Sequence, residues 1–158
     1  MELAWSRTEG NMKWTGTKIA HVQAFWGEGI ADIFGINKLK NLKTLIVEDV
    51  SRLIDLSVWT KLTKLESLCM CYSIKGLVDH SFLELLTNLK YLQLNNDVEN
   101  FSVLENLTKL KYLNISGTNI IDVSVLANLT NLKFLDLSEA RVVNRSALAN
   151  LTNLVVRY

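Results

Sequence analysis

Cys69 and Cys71 are the only cysteines of the chain, and His21 and His80 its only imidazoles. Cysteines grouped with a histidine could ligate zinc, or could make a thiol nucleophile with its base. Asp32, Asp55, Asp79 and Asp122 recur along the chain, and carboxylates held in register could bind calcium. Tyr91, Tyr112 and Phe134 also recur, each followed two residues later by Gln93, Asn114 or Asp136. Aromatics beside amides and hydroxyls are the chemistry of protein recognition. Which of these groups meet depends on the elements that position them.

A repeat sets those elements. Leu107-Thr-Lys-Leu110-Lys-Tyr-Leu113-Asn-Ile115 returns as Leu129-Thr-Asn-Leu132-Lys-Phe-Leu135-Asp-Leu137. Earlier copies begin at Leu39, Leu62 and Leu86, and a last partial one at Leu151. The second leucine of each copy falls at 42, 65, 89, 110, 132 and 154, with spacings of 23, 24, 21, 22 and 22. A further step of 23 back reaches Ile19, where Ile19-Ala-His-Val22-Gln-Ala24 reads as a degenerate first copy. Two more columns support the register. Seven residues before each opening leucine stand Asp32, Asp55, Asp79, Asn100, Asp122 and Asn144; three before it stand Ile36, Trp59, Leu83, Leu104, Leu126 and Leu148.

In Leu-x-x-Leu-x-Leu the last apolar pair alternates with polar residues, as in a strand. Successive short strands should lie parallel, about 4.8 Å apart. Leu110, Leu113, Ile115, Ile120, Val123 and Leu126 should then share a core that one unit cannot bury alone. The Asp/Asn column is expected to cap the return segments, because a short side-chain oxygen can accept from N–H groups two or three residues on. A calcium ladder is the poorer reading, since asparagine supplies no charge.

The chain resembles the leucine-rich-repeat family, in the bacterial internalin-like variety with units of about 22 residues. Ile120-Ile-Asp122-Val-Ser124-Val-Leu126-Ala-Asn128-Leu-Thr130-Asn-Leu132 carries the likeness, which covers residues 16 to 158. The proline usual in that family's second half is replaced by Val58, Val103 and Val125. The resemblance implies an α/β fold: a right-handed leucine-rich-repeat solenoid, its parallel β-sheet on the concave face and short helical or irregular return segments on the convex face. The expected domains are an N-terminal cap over residues 1–15, with Trp5, Met12 and Trp14 on the open core, and a solenoid over 16–158. Units start near 16, 39, 62, 86, 107 and 129, with a partial one at 151.

In this register three columns face the concave side. The first is His21, Thr44, Ser67, Tyr91, Tyr112 and Phe134; the second is Gln23, Ile46, Cys69, Gln93, Asn114 and Asp136; the third is Phe25, Glu48, Cys71, Asn95, Ser116 and Ser138. The expected partner-binding set is Tyr91, Gln93, Asn95, Tyr112, Asn114, Ser116, Phe134, Asp136 and Ser138. The competing reading is that the aromatics stack across strands for stability alone.

Cys69 and Cys71 face one side with Cα atoms about 6.5–7 Å apart, at the limit for a disulfide, which favours two reduced thiols. His21 lies two strands away, roughly 10 Å, too far to complete a zinc site. His80 belongs to a return segment. No phosphate-cradling glycine loop, His-Glu-x-x-His or Gly-x-Ser-x-Gly occurs. The expectation is therefore no enzyme, no metal and no cofactor.

A net charge of +1 gives no general field toward nucleic acid or an anionic membrane, and no Lys/Arg run marks a basic patch. The N-terminus lacks a basic start followed by an apolar run, which with two unpaired cysteines favours the cytoplasm. Asn-x-Ser/Thr at Asn106, Asn128 and Asn150 repeats one phrase and reads as turn chemistry. The expected partner is a protein or peptide. The alternatives are an assembly role, self-associating through a C-terminal edge at Leu151, Leu154 and Val156, or the recognition arm of a larger bacterial effector or enzyme.

Overall fold

Each repeat is written in backbone hydrogen bonds before it is written in packing. The N–H of each second leucine donates to the carbonyl of the first, from Leu65 to Leu62 and onward to Leu154 and Leu151, at 2.8–3.0 Å. Three residues earlier, the carbonyls of Trp59, Leu83, Leu104, Leu126 and Leu148 accept from the opening leucines at 2.9–3.0 Å. Both bonds span three residues, as in a 3-10 turn. The Leu-x-x-Leu spacing and the apolar column before it are thus two successive tight turns that aim every third side chain inward.

The computed structural model describes residues 19–23, 40–48, 57–71, 79–94, 98 and 100–158. Seven strands follow in chain order: β1 Ile19–Gln23, β2 Thr44–Glu48, β3 Ser67–Cys71, β4 Tyr91–Leu94, β5 Tyr112–Asn114, β6 Phe134–Asp136 and β7 Val155–Arg157. They form one sheet in that order, and each pairs parallel with the next. The return segments hold 3-10 turns at Ser57–Lys61, Ser81–Leu85, Phe101–Leu104, Ser124–Leu126 and Arg145–Leu148. This is the expected right-handed solenoid, the hand that parallel crossovers take. The cap expected over residues 1–15, with Trp5, Met12 and Trp14, lies outside the described residues, as do Phe25, Asp32, Ile36, Asp55 and Asn95.

The strand pairing reproduces the columns from β2 to β6: Leu45, Leu68, Leu92 and Leu113 pair in succession up to Leu135; β7 is offset by one residue, with Phe134 opposite Val155 and Leu135 opposite Val156. The first unit departs from expectation. The degenerate copy placed Val22 beside Leu45, whereas Val22 pairs with Val47 and Ala20 with Leu45. A shift of two residues keeps the same side chains inward, so alternation alone does not detect it.

The core is one ladder of aliphatics. Leu110, Leu113, Ile115, Ile120, Val123 and Leu126 are all buried, stacked between the equivalent residues of the neighbouring turns. Trp59 replaces leucine in its column and meets Phe82 edge-on, with ring centroids 5.1 Å apart. Asp79, Asn100 and Asp122 cap the return segments as expected, accepting from the N–H groups of Ser81, Ser102 and Ser124 at 2.8–2.9 Å. Asn144 does not cap; its amide donates sideways to Asp122 at 3.2 Å and to the Ser124 hydroxyl at 2.8 Å. A second polar ladder joins successive turns at the third residue of the repeat phrase. Lys64 donates to Asn41 at 2.8 Å and Lys109 to Asn88 at 2.6 Å. Asn88 and Asn131 donate to the carbonyls of Thr63 and Thr108, both at 2.8 Å.

Behind the strands the chain turns through the left-handed region, at Gly117 and again one repeat later at Glu139, both with φ 66°. Glycine enters that region without cost, whereas a side chain costs of order 1–3 kcal/mol there. A Cβ at Gly117 would meet the Glu139 carboxylate at an ordinary 3.7 Å, so the penalty there is torsional rather than a clash.

Two stability outcomes follow. Gly117→Ala should cost about 1 kcal/mol or more in denaturant unfolding, and Glu139→Gly should gain about 1 kcal/mol. Leu113→Ala should cost about 2–5 kcal/mol, against roughly 0.5 kcal/mol or less for the exposed Ile121→Ala. Equal losses at Leu113 and Ile121 would contradict the described core.

Candidate functional site

Parallel pairing sets equivalent residues of adjacent strands side by side, so each concave column becomes a physical row. Tyr91, Tyr112 and Phe134 stack with ring centroids 4.4 and 4.9 Å apart and planes 6° and 11° from parallel. Each is half-buried. Stacking covers both faces of Tyr112 and one face each of Tyr91 and Phe134. Burial, followed by the neighbouring Tyr112, pushes the Tyr91 phenol above its ordinary value, keeping it a neutral donor. Its hydroxyl lies 3.4 Å from Gln93 Oε1.

The second row behaves differently from the expectation of free amides. Asn114 Oδ1 accepts from the Ser116 N–H at 2.9 Å, and Asp136 Oδ1 from the Ser138 N–H at 3.0 Å. Both side chains therefore fasten the chain as it leaves the strand. Asp136 is also nearly buried, its side chain 7% exposed, and Arg157 Nη1 stands 3.5 Å from its second oxygen. Ser138 is half-buried with its hydroxyl oxygen enclosed. Of the nine residues expected to bind, Tyr91, Gln93, Tyr112, Asn114, Ser116 and Phe134 share one partly open face. Asp136 and Ser138 sit deeper in the turn, and Asn95 is outside the described residues.

Cys69 corrects the reading of two free thiols: it is disulfide-bonded, and Cys71 is the other cysteine of the sequence. A Cα separation of about 6.5–7 Å between alternate strand residues touches the upper end of what a disulfide spans, so the distance did not exclude one. The expectation of a cytoplasmic location loses the support it drew from free thiols. His80 lies buried in a return segment, as expected, its ring stacked 6.4 Å from that of Phe82. No cluster of three metal-binding side chains occurs among the described residues. Nor is any helix among them long and apolar enough to cross a membrane.

Sequence reasoning missed a charged row, because it looked for lysines consecutive in the chain. The residue just before β2, β3, β4, β5 and β6 is Lys43, Glu66, Lys90, Lys111 and Lys133 in turn. Backbone bonds tie them in register. The N–H groups of Lys90 and Tyr91 both donate to the Glu66 carbonyl, those of Lys111 and Tyr112 to that of Lys90, and those of Lys133 and Phe134 to that of Lys111. Glu66 is bridged by Lys43 on one side and by Lys90, at 2.6 Å, on the other. Hydrogen bonds from Lys43 and then Lys90 hold its carboxyl down at about 2. The repeated Leu-Lys-Tyr-Leu and Leu-Lys-Phe-Leu phrases were the available signal.

Comparison with known proteins places this geometry. The family model for leucine-rich repeats, in two copies, matches residues 87–128. An internalin C2 from Listeria monocytogenes is 29% identical, with a TM-score of 0.63 over 82% of this chain and 66% of its own. A second internalin from that organism, 23% identical, gives 0.56 over 80% and 50%. A leucine-rich-repeat protein of Leptospira interrogans, 17% identical, gives 0.62 over 87% and 37%. The chain thus spans less than two thirds of the length of each. No curated protein matches it in sequence. In its matched repeats and in its fold the chain is similar to leucine-rich-repeat proteins of internalin-like type. Proteins of this type are generally non-catalytic and bind other proteins, and the fold supports a protein-interaction module in general.

The Glu66 bridge gives an acid signature. Its folded value lies below the ordinary carboxylate value, and Asp79 and Asp122 are lowered in the same direction by their capping hydrogen bonds from Ser81 and Ser124. Depressed carboxyls stabilise the fold above their unfolded values, and that contribution disappears as pH falls through the folded ones. The thermal midpoint should stay level from about pH 7 to about pH 5 and then drop toward about pH 2. Glu66→Gln should flatten part of that drop, measured by thermal melts across the range.

Proposed function

We propose that the chain is a non-catalytic recognition module that holds a protein or peptide partner against the concave sheet face, centred on Tyr91, Tyr112 and Phe134. The observation that carries this reading is the stack itself: three rigid rings, each half-exposed, on adjacent strands of a sheet that fixes their spacing. Rigid aromatics lose little entropy when a partner arrives and offer large amphipathic contact area. Gln93, Asn114 and Ser116 lie on the same face. Asn114 is held by its own turn, so its amide is presented in a fixed orientation.

Cross-strand stacking also stabilises a sheet by roughly 0.2–1 kcal/mol per pair. Stability does not by itself require the rings to face solvent, and here the aliphatic ladder beneath them already supplies the core. The rival reading, self-association through Leu151, Leu154 and Val156, draws less support. Leu151 is buried and the other two are half-buried within the chain itself.

The test is a comparison of retained proteins. Wild type and Tyr112→Ala/Phe134→Ala are immobilised in equal amounts and exposed to the same cell lysate. Partners held by the wild type should be lost, or weakened at least tenfold on titration, with far-UV circular dichroism unchanged. Partners retained equally by both would reject the concave face.

A further inference from the structure

We infer that the concave face takes an acidic partner: an extended protein segment whose Asp and Glu side chains lie along Lys111 and Lys133 while its backbone crosses the aromatic stack. This rests on the concave-face reading and gives its partner a charge.

The first observation is an unbalanced row. Like charges set directly opposite on neighbouring strands are destabilising, and in the first half of the row the sequence avoids this by placing Glu66 between Lys43 and Lys90. Beyond Glu66 the alternation stops. Lys90, Lys111 and Lys133 are consecutive, with backbone bonds holding each one strand from the next. Only Lys90 has a carboxylate; among the described residues Lys111 and Lys133 form no ion pair, and both are exposed. Their positive charge stands in solvent on a chain whose net charge is only +1. It is a local feature that composition hides.

The second observation concerns the rings beside them. An aromatic ring is negative on its faces and positive around its edge. Parallel stacking hides both faces of Tyr112 and one face each of Tyr91 and Phe134, so the exposure left to Tyr112 is at its edge. The Tyr91 phenol donates to Gln93 Oε1 at 3.4 Å within the same face. Lysine ammonium groups at the strand entries and ring edges beside them thus present positive potential in adjacent rows. The carboxylate in the row next to the rings, Asp136, is nearly buried and already faces Arg157. A basic segment would meet like charge here; carboxylates and backbone carbonyls would be complemented.

The experiment selects peptides without presuming a partner. A random dodecapeptide library displayed on phage is panned on the whole chain, and the enriched peptides are synthesised. Their affinities are measured by fluorescence anisotropy at about 50 and about 500 mM salt, where screening of exposed charges differs strongly. The proteins compared are wild type, Lys111→Gln/Lys133→Gln and Tyr112→Ala/Phe134→Ala. Both lysines are exposed, so circular dichroism of their variant should match the wild type. The expected result is enrichment of net-negative peptides that bind at least tenfold more weakly to the lysine variant and lose most of their salt dependence there. Neutral or basic peptides that still require Tyr112 and Phe134 would overturn the acidic partner and leave the concave face standing. Acidic peptides indifferent to the aromatic variant would overturn the concave face itself. An empty selection would count against both.

Discussion

The inward leucines of a single turn have no partner within that turn. Leu113 projects from β5 and Leu110 and Ile115 flank it, and the equivalent residues of the turns before and after complete their cover. At about 25 cal/mol per Å² of apolar surface removed from water, that covering is the main favourable term available to each unit. It can be collected only by stacking. Everything else follows from the stack: the parallel sheet, the 3-10 returns that bring the chain back to the same height, and the side-chain oxygens that satisfy backbone groups where the chain bends.

Stacking also converts sequence columns into rows of neighbours about 4.8 Å apart. Residues more than twenty positions apart become adjacent, and their chemistry is read across the strands. The aromatic row, the capping row and the lysine row all arise in this way. Their geometry is dictated by the core beneath, so the surface is rigid without spending its own side chains on rigidity. Where a row holds alternating charge, as at Lys43, Glu66 and Lys90, it closes on itself. Where it does not, as at Lys111 and Lys133, it stays open to solvent.

Fold and rows were legible wherever the repeat was strict. The phrases around Leu86, Leu107 and Leu129 fixed the pairing of β4, β5 and β6, and with it the aromatic stack, without reference to coordinates. The degenerate first unit was misplaced by two residues because inward and outward positions alternate with a period of two. The Cys69 disulfide turned on a few tenths of an ångström that idealised strand geometry does not resolve. Asp136 and Asn114 were seen as solvent-facing amide and carboxylate; which side chain turns to its own backbone depends on the local exit geometry, not on the column. The lysine row was in plain view as a recurring Leu-Lys, yet a search for consecutive charges passes over charges that a solenoid gathers.

The stack of inward leucines is tested most directly by nuclear magnetic resonance of assigned leucine, isoleucine and valine methyl groups in the presence of a soluble paramagnetic agent. Leu92, Leu113 and Leu135 should show methyl cross-peaks each to the next and should be protected from the agent, while Ile121 and Val143, 59% and 75% exposed, are strongly attenuated. Leu113 methyls attenuated as strongly as those of Val143, or lacking cross-peaks to Leu92 and Leu135, would contradict the stacked solenoid and every row built on it.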